Sequence, residues 1–429
     1  MTDAPMSTSA TLRQTVEARL KVRHAQERRF RAYGLAAIFV ALAFLTVLLG
    51  RIVSQGYTTF LEYSLTVPVY VDPARVDRTD ISGANFDLLI ADQVLGRLGI
   101  KDDDFGTQSS KMMDILSNDL GFQLLQKVKA NPSLIGKTVS VTGPVRADGA
   151  LYYKGEIKKS TPEDERKLDN TQLQWLDKMK SMGMVSSGFN TGFLTKSDST
   201  EPEQAGVWGA IVGSTMMLIV TALLAVPIGV LAATYLEEFA AKNRWTDIIE
   251  VNINNLAAVP SIVYGLLGLA VFINWLHVPR SSPLLGGLVL ALMALPTVII
   301  ATRSALKAVP PSIREAALGV GASKTQTVFH HVLPLAMPGV MTGAILSMAH
   351  ALGETAPLLM IGMVSFVPGV PEGFTGAATV LPVQVFIWEN ASERAFHERT
   401  AGAIMVLLVF MIVMNLAAIL LRRRFERRW

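Results

Sequence analysis

Apolar residues gather into six long runs: Tyr33–Val53, Trp208–Ala233, Ile253–Asn274, Leu284–Thr302, Gly339–Val364 and Thr400–Leu421. Each approaches the ~20 residues that a helix needs to cross about 30 Å of hydrocarbon, so each is predicted to span a membrane. Five of the six crowd into the second half of the chain behind short loops. A long polar stretch, residues 54–207, separates the first from the second. Tyr33–Val53 is too long for a signal peptide and lacks a small-x-small cleavage site at its end, so an uncleaved anchor is expected.

Residues 54–207 read as a folded domain of mixed α/β character. Apolar spacing predicts helices over Asp87–Leu98 and Lys111–Val128. Lys137–Thr142 and Leu151–Lys158 are rich in Val, Thr and Tyr, and Asp148-Gly149 between them predicts a hairpin turn. The run Asp102-Asp103-Asp104 is expected in a solvated loop, because consecutive carboxylates do not converge on one ion. Lys158–Asp169 reads as a charged surface face.

The composition agrees with a membrane protein. Hydrophobic residues make up 50% of the chain and charged residues only 17%, below the roughly 25% of soluble domains. The absence of cysteine excludes disulfides, thiolate metal sites and a Cys nucleophile. The polar stretch 54–207 holds 17 basic and 21 acidic residues, leaving 22 basic and 14 acidic elsewhere. The basic excess flanks the apolar runs. Residues 1–32 contain Arg13, Arg19, Lys21, Arg23, Arg28, Arg29 and Arg31, and the tail contains Arg422, Arg423, Arg424, Arg427 and Arg428. The positive-inside bias therefore predicts both termini and the 234–252 and 303–337 loops to be cytoplasmic. Residues 54–207 and 365–399 are then external. Basic clusters flanking lipid-length runs argue for a membrane surface and against nucleic acid.

Catalytic patterns are wanting. Gly319-Val-Gly-Ala-Ser-Lys-Thr325 lacks phosphate-loop spacing, and no strand precedes it. His330-His331 point about 100° apart on a helix and are poor co-ligands. The informative stretch is 309–338. Pro310-Pro311 stops the preceding helix, Ser312 and Glu315 have capping-box spacing, and Gly319 or Gly321 ends a short helix. A second piece, Lys324–Val332, is expected to stop at Leu333-Pro334. Two readings stay open: an ordinary interhelix loop, or two short helices lying against the membrane. Glu354, four residues after His350, is expected inside an apolar helix. An ionisable group there is a functional candidate unless the pair merely locks packing.

Glu315-Ala316-Ala317, with Gly321 four residues on and Leu333-Pro334 beyond, resembles the EAA loop of ABC-importer permeases. Ala351-Leu-Gly-Glu-Thr-Ala-Pro-Leu-Leu359 is similar to the fifth-span signature of the A-type phosphate permeases. Val226-Pro-Ile-Gly229, Tyr235-Leu236-Glu237-Glu238, Val259-Pro-Ser-Ile-Val-Tyr-Gly265 and Leu381-Pro-Val-Gln384 are similar to that family as well. The resemblance covers about residues 202–423. Residues 54–207 look like the extra N-terminal domain of a subset of these permeases.

The resemblance implies an all-α polytopic membrane protein of six transmembrane helices, with a type I ABC importer permease core and an inserted mixed α/β domain. Its parts would be a basic N-terminus (1–32), a first span (33–53), a periplasmic domain (54–207), a permease domain (208–421) holding the EAA loop (303–337), and a basic tail (422–429). It implies passage of inorganic phosphate across a bacterial inner membrane. It also implies no cofactor in this chain, with ATP and Mg in a partner ATPase. The partners would be a C-type second permease, a homodimeric ATP-binding subunit, a periplasmic phosphate-binding protein and the lipid bilayer. Glu315, Ala316, Ala317, Gly321, Leu333 and Pro334 would couple to the ATPase; Arg303, His350, Glu354 and Thr355 are the candidate phosphate pathway. Two departures stand out: the family places Arg where His350 stands, and often Arg-Thr-Thr-Glu where this chain has Ile300-Ala-Thr-Arg303. Passage of another oxyanion such as sulfate or molybdate, and a membrane-anchored sensor or scaffold using the external domain, are the alternatives.

Overall fold

The computed structural model describes residues 7–101 and 106–425. The acidic run at 102–104 and Arg427 and Arg428 lie outside the described residues. The chain divides into two compact units, residues 1–55 and 56–429. The first is almost entirely α1 (Ser7–Gly56), 50 residues long. At 1.5 Å per residue it reaches about 75 Å, over twice a hydrocarbon core. Phe30, Phe39 and Phe44 leave a bare apolar surface on it, as a lipid-facing helix requires.

The second unit opens with a three-stranded antiparallel sheet in the order β2-β1-β3. β1 (Leu61–Tyr70) pairs with β2 (Thr138–Pro144) along Ser64–Tyr70, and with β3 (Val185–Phe189) along Leu61–Leu65. Pro68 therefore sits where β1 has one neighbour, so its missing N–H costs the sheet no hydrogen bond on the open side. α2 (Phe86–Arg97) matches its prediction. The helix expected over Lys111–Val128 is two, α3 (Thr107–Met113) and α4 (Asn118–Ala130), because the Ser117 hydroxyl accepts from the Asp119 amide and starts a new helix.

The predicted hairpin does not form. β2 is present, but Asp148-Gly149 lies within α5 (Ala147–Tyr153), which packs on α6 (Asn170–Ser181). Gly149 serves close packing: a Cβ there would meet Val145 Cγ1 at 2.8 Å and Leu176 Cδ2 at 3.3 Å. Tyr152 donates to Asp177 at 2.8 Å and Tyr153 to the Leu176 carbonyl at 2.7 Å. Val67, Val69, Val94, Leu124, Val141 and Leu176 are fully buried in one core between sheet and helices. α7 (Thr191–Thr195) leads out of this domain.

The remainder is helical. It comprises α8 (Trp208–Thr234), α9 (Arg244–Ala257), α10 (Ser261–Leu267), α11 (Pro283–Lys307), α12 (Pro311–Gly319) and α13 (Lys324–Gln326). α14 (Leu333–Gly353), α15 (Ala356–Met360), α16 (Leu381–Glu389) and α17 (Arg394–Phe425) follow. Among the described residues, five helices are long and apolar enough to cross a membrane, or six if the bent pair α9 and α10 counts as one crossing. The third predicted run is thus broken: Pro260 is extended, and the chain turns by 103° there. The fifth is shifted. Its helix is continuous from Lys324 to Gly353, passes through Leu333-Pro334, and ends before Glu354. A wide, π-type turn over Thr327–Val332 accounts for the passage, since it relieves the clash between the Pro334 ring and the carbonyl one turn back.

α11 is the central helix, packed between α8 and α14 through small residues that let backbones approach. A Cβ on Gly343 would stand 2.2 Å from Ala301 Cβ, one on Gly339 2.7 Å from Ala305 Cβ, and one on Gly229 2.7 Å from Val298 Cγ1. The α/β domain is fastened to the bundle at the start of α17. Lys154 and Glu398 form a nearly buried ion pair at 2.7 Å, and the Thr59 hydroxyl donates to the Glu398 carbonyl at 2.7 Å. Trp388 Nε1 donates to Asp198 at 2.9 Å, and Arg399 donates to the Glu203 carbonyl at 3.3 Å.

Two outcomes follow from this packing. Gly343→Val should overpack the α11–α14 contact and lower stability by about 1–3 kcal/mol, read as a drop in melting temperature of the lipid-reconstituted protein. Ala301→Gly in the same chain should restore part of the loss. Burial raises the Glu203 and Asp198 carboxyls above their usual values. Their contribution is full below the ordinary carboxylate range, near 4.5 for Glu203, and is lost as pH climbs through the raised values. Denaturant unfolding followed by tryptophan fluorescence should show domain stability falling across that interval, and Glu203→Gln should flatten the slope.

Candidate functional site

The segment between α11 and α14 folds into an elbow. Pro310 takes an extended conformation as N-cap, and Pro311 opens α12 with its φ already helical. Ser312 is thereby the second helical residue and caps nothing, so the capping box expected from Ser312 and Glu315 is absent. The box belongs to Ser323 and Gln326 instead: the Gln326 amide donates to Ser323 Oγ at 3.2 Å, and the Ser323 amide donates to Gln326 Oε1 at 2.9 Å. Gly321 lies between the two helices at φ +90°, a conformation that L side chains rarely adopt.

The elbow presents a mixed surface. Glu315, Ala316, Leu318 and Val320 are exposed, Val320 by 86%, while Ala317 is buried. Its inner side is held by a small apolar cluster in which Leu306, Val309, Val332, Ala336 and Val340 are buried, with Ile313 and Leu333 packed against them. Pro334 is half-buried at the start of α14.

Charge fixes the elbow to the bundle. Arg314 on α12 grips Glu238: NH2 donates to Oε1 at 2.6 Å, and Nε stands 3.2 Å from both carboxylate oxygens. The same guanidinium donates to the carbonyls of Leu306 and Val309, at 3.0 and 2.8 Å, at the end of α11. Glu238 is only 9% exposed and sits in a π-type turn, Tyr235–Phe239, that extends α8. One arginine thus ties α8, α11 and α12 together. Beside it Arg303 donates to Glu250 at 2.5 Å and to Glu237 at 3.4 Å, and Lys307 lies 3.6 Å from Glu237. Sequence reasoning named Arg303 but neither Arg314 nor its acidic partners as site residues. The adjacent acids at the end of the second apolar run were the available signal.

The other candidates lie at a helix break. Glu354 is not inside an apolar helix as expected: it is extended, with φ −79° and ψ 124°, one residue past α14. His350 Nε2 stands 3.3 Å from Glu354 Oε1; the imidazole is 68% exposed and the carboxylate 20%. Thr355 follows as N-cap of α15. The structure brings His350, Glu354 and Thr355 together at this break and gives Arg303 separate carboxylate partners at the end of α11.

The α/β domain and the elbow are not on the same level. Gly209, at the start of α8, lies against Ser197 and Gly369 beside the α/β domain, whereas the turn carrying Glu238 lies at the other end. The 27 residues of α8 separate them by about 40 Å. The domain and the elbow therefore occupy opposite ends of the bundle. Arg314→Ala would strand the nearly buried Glu238 carboxylate and should cost about 3–5 kcal/mol in thermal or denaturant unfolding. Arg314→Lys should recover only part, since an ammonium cannot make the two-pronged contact.

A family model described as binding-protein-dependent transport system inner membrane component matches residues 225–429. A second, described as a domain of unknown function (DUF3333), matches residues 17–163. The chain is 35% identical over 229 residues to phosphate transport system permease protein PstA 1 of Mycobacterium tuberculosis, covering 53% of this chain and 74% of that one. It is 31% identical over 242 residues to a probable ABC transporter permease protein, YqgI, of Bacillus subtilis, covering 53% and 81%. Among solved structures it is similar to an inward-facing MetNI methionine ABC transporter, with a TM-score of 0.42 and 17% identity over 52% of this chain and 98% of that one.

Proposed function

This chain belongs to the binding-protein-dependent inner-membrane permeases of the phosphate transport type, and from that premise we propose how its parts serve ATP-driven phosphate import. It is the membrane-spanning permease subunit, a multi-pass membrane protein. ATP hydrolysis resides in a partner ATPase, and a substrate-binding protein completes the complex. The observation that carries the phosphate reading is the 35% identity to a phosphate permease across three quarters of that protein's length.

The finer arrangement is our reading. The elbow, the termini and the basic tail face the cytoplasm of a bacterial cell, and the α/β domain faces the periplasm. Opposite placement of domain and elbow along α8 supports this sidedness, as do the basic flanks. Glu315, Ala316, Leu318 and Val320 form the surface that meets a homodimeric ATP-binding subunit, which holds ATP and Mg. Arg314 and Glu238 pass its motion into α8 and α11. A C-type permease chain supplies the other half of the pore, and a periplasmic phosphate-binding protein delivers the anion. His350, Glu354 and Thr355 line the phosphate pathway, where polar side chains at the helix break offset part of the anion's desolvation. Arg303, whose charge Glu237 and Glu250 already meet, serves the elbow rather than the anion.

Charge reversal tests the coupling. Like charges set against one another at an interface cost several kcal/mol, so Glu315→Lys should lower phosphate uptake by about tenfold or more while the assembled ATPase still hydrolyses ATP. Normal uptake by that variant counts against the elbow's role. Labelled phosphate uptake should resist a large excess of sulfate; efficient competition by sulfate or molybdate would shift the substrate to another oxyanion.

A further inference from the structure

Where the α/β domain meets the loop before α17, the chain forms a polar cavity of about 260 Å³ that is open on one side. A water molecule's share of liquid volume is about 30 Å³, so the space suits a small organic molecule rather than one or two waters. Five carboxylates line it, from Asp114, Asp148, Glu201, Glu203 and Glu393, against two cations, Arg146 and Lys167. One cation is paired with a cavity carboxylate and the other with a backbone carbonyl. Arg146 donates to the Met113 carbonyl at 3.3 Å, and Lys167 lies 3.9 Å from Asp148. Carboxylates outnumber cations there by five to two; burial raises the Asp148 and Glu203 carboxyls most, and Glu393 acts on Asp148 and Glu201 on Glu203 against the opposing pull of Lys167 and Arg146.

Glu203 is the telling residue. It is only 6% exposed, and its Oε1 has no hydrogen-bond partner. Its other oxygen accepts the Ala147 amide at 3.3 Å. A buried carboxylate oxygen without a donor costs free energy until a donor arrives. Among the described residues no three acidic or imidazole groups are placed to hold a metal ion, so these carboxylates are too dispersed for a bare divalent cation. Dispersed acceptors suit an extended cation with several N–H donors.

We propose that this cavity binds a small organic cation bearing primary ammonium or guanidinium groups, which donates to Glu203 Oε1 and spans to Glu201, Asp148 and Glu393. Such a ligand bridges the domain to the residue that precedes α17 and tightens the joint between them. This site is independent of the phosphate pathway.

The test uses the full chain in lipid nanodiscs, with spermidine, putrescine, arginine and magnesium each titrated by calorimetry at physiological salt. At least one amine or guanidine should bind saturably at one site. Glu203→Gln and, separately, the rim variant Glu393→Gln should each weaken it about tenfold or more, the effect of one lost charge-assisted contact. Glu165→Gln, an exposed carboxylate outside the cavity, should leave binding unchanged. Hydrogen exchange at 201–203 and 391–395 should slow on binding. Absence of saturable binding by every amine and guanidine overturns the proposal. So does binding that neither cavity variant weakens, or magnesium binding that displaces the organic cations. Because Glu393 is only half-buried, its variant keeps the test decisive if Glu203→Gln fails to fold.

Discussion

An arginine facing a nearly buried carboxylate cannot be displaced without either moving its partner or stranding a charge. Arg314 and Glu238 are such a pair, and they stand where the elbow meets the bundle. Stranding the carboxylate is costly, so joint movement is the cheaper response to a push on α12. The guanidinium also holds the carbonyls of Leu306, in the last turn of α11, and Val309 just beyond it, so the push reaches two long helices at once. Arg303 and Lys307 add ion pairs beside it, with Glu237 and Glu250. The elbow is thus anchored by charge on one side and by the Leu306–Val340 cluster on the other.

What lies beyond the anchor is held by close backbone packing. In lipid the helices gain little from burying apolar surface against one another, and close approach of backbones takes over. The glycines and alanines along α11 and α14 provide that approach. The contacts of Lys154, Asp198 and Glu203 then attach the α/β domain to the far end of the same bundle. The elbow and the domain thus stand some 40 Å apart along α8.

Much of this was legible in the sequence. The length of an apolar run is a direct consequence of bilayer thickness, so hydropathy alone places the long spans α1, α8, α11 and α17. Boundaries set by local chemistry were not legible in that way. Val259-Pro260 breaks a run that hydropathy reads as continuous, while Leu333-Pro334 fails to break one, because a wide turn ahead of it makes room for the ring. Asp148-Gly149 has the chemistry of a turn, yet it lies in a helix where Leu176, distant in sequence, demands a residue without a side chain. β1 went unread because Pro68 argues against a strand until one knows that β3 stops short of it. At the candidate site the motif residues of the elbow were named, but the Arg314–Glu238 pair joins residues 76 apart. The cavity carboxylates span a still wider range of sequence, from Asp114 to Glu393. No local pattern encodes such meetings.

Among the described residues three wide turns interrupt the helices, at Tyr235–Phe239, Gly268–Ile273 and Thr327–Val332. Each holds a surplus residue relative to a regular helix. Passing that surplus along the chain re-registers everything between its old and new positions, by about 100° of rotation and 1.5 Å of rise, while backbone hydrogen bonding is largely kept. Two of the three flank the elbow's anchors. These helices can therefore screw rather than bend, turning one face away from the bundle axis and another toward it without exposing a single carbonyl to hydrocarbon for long.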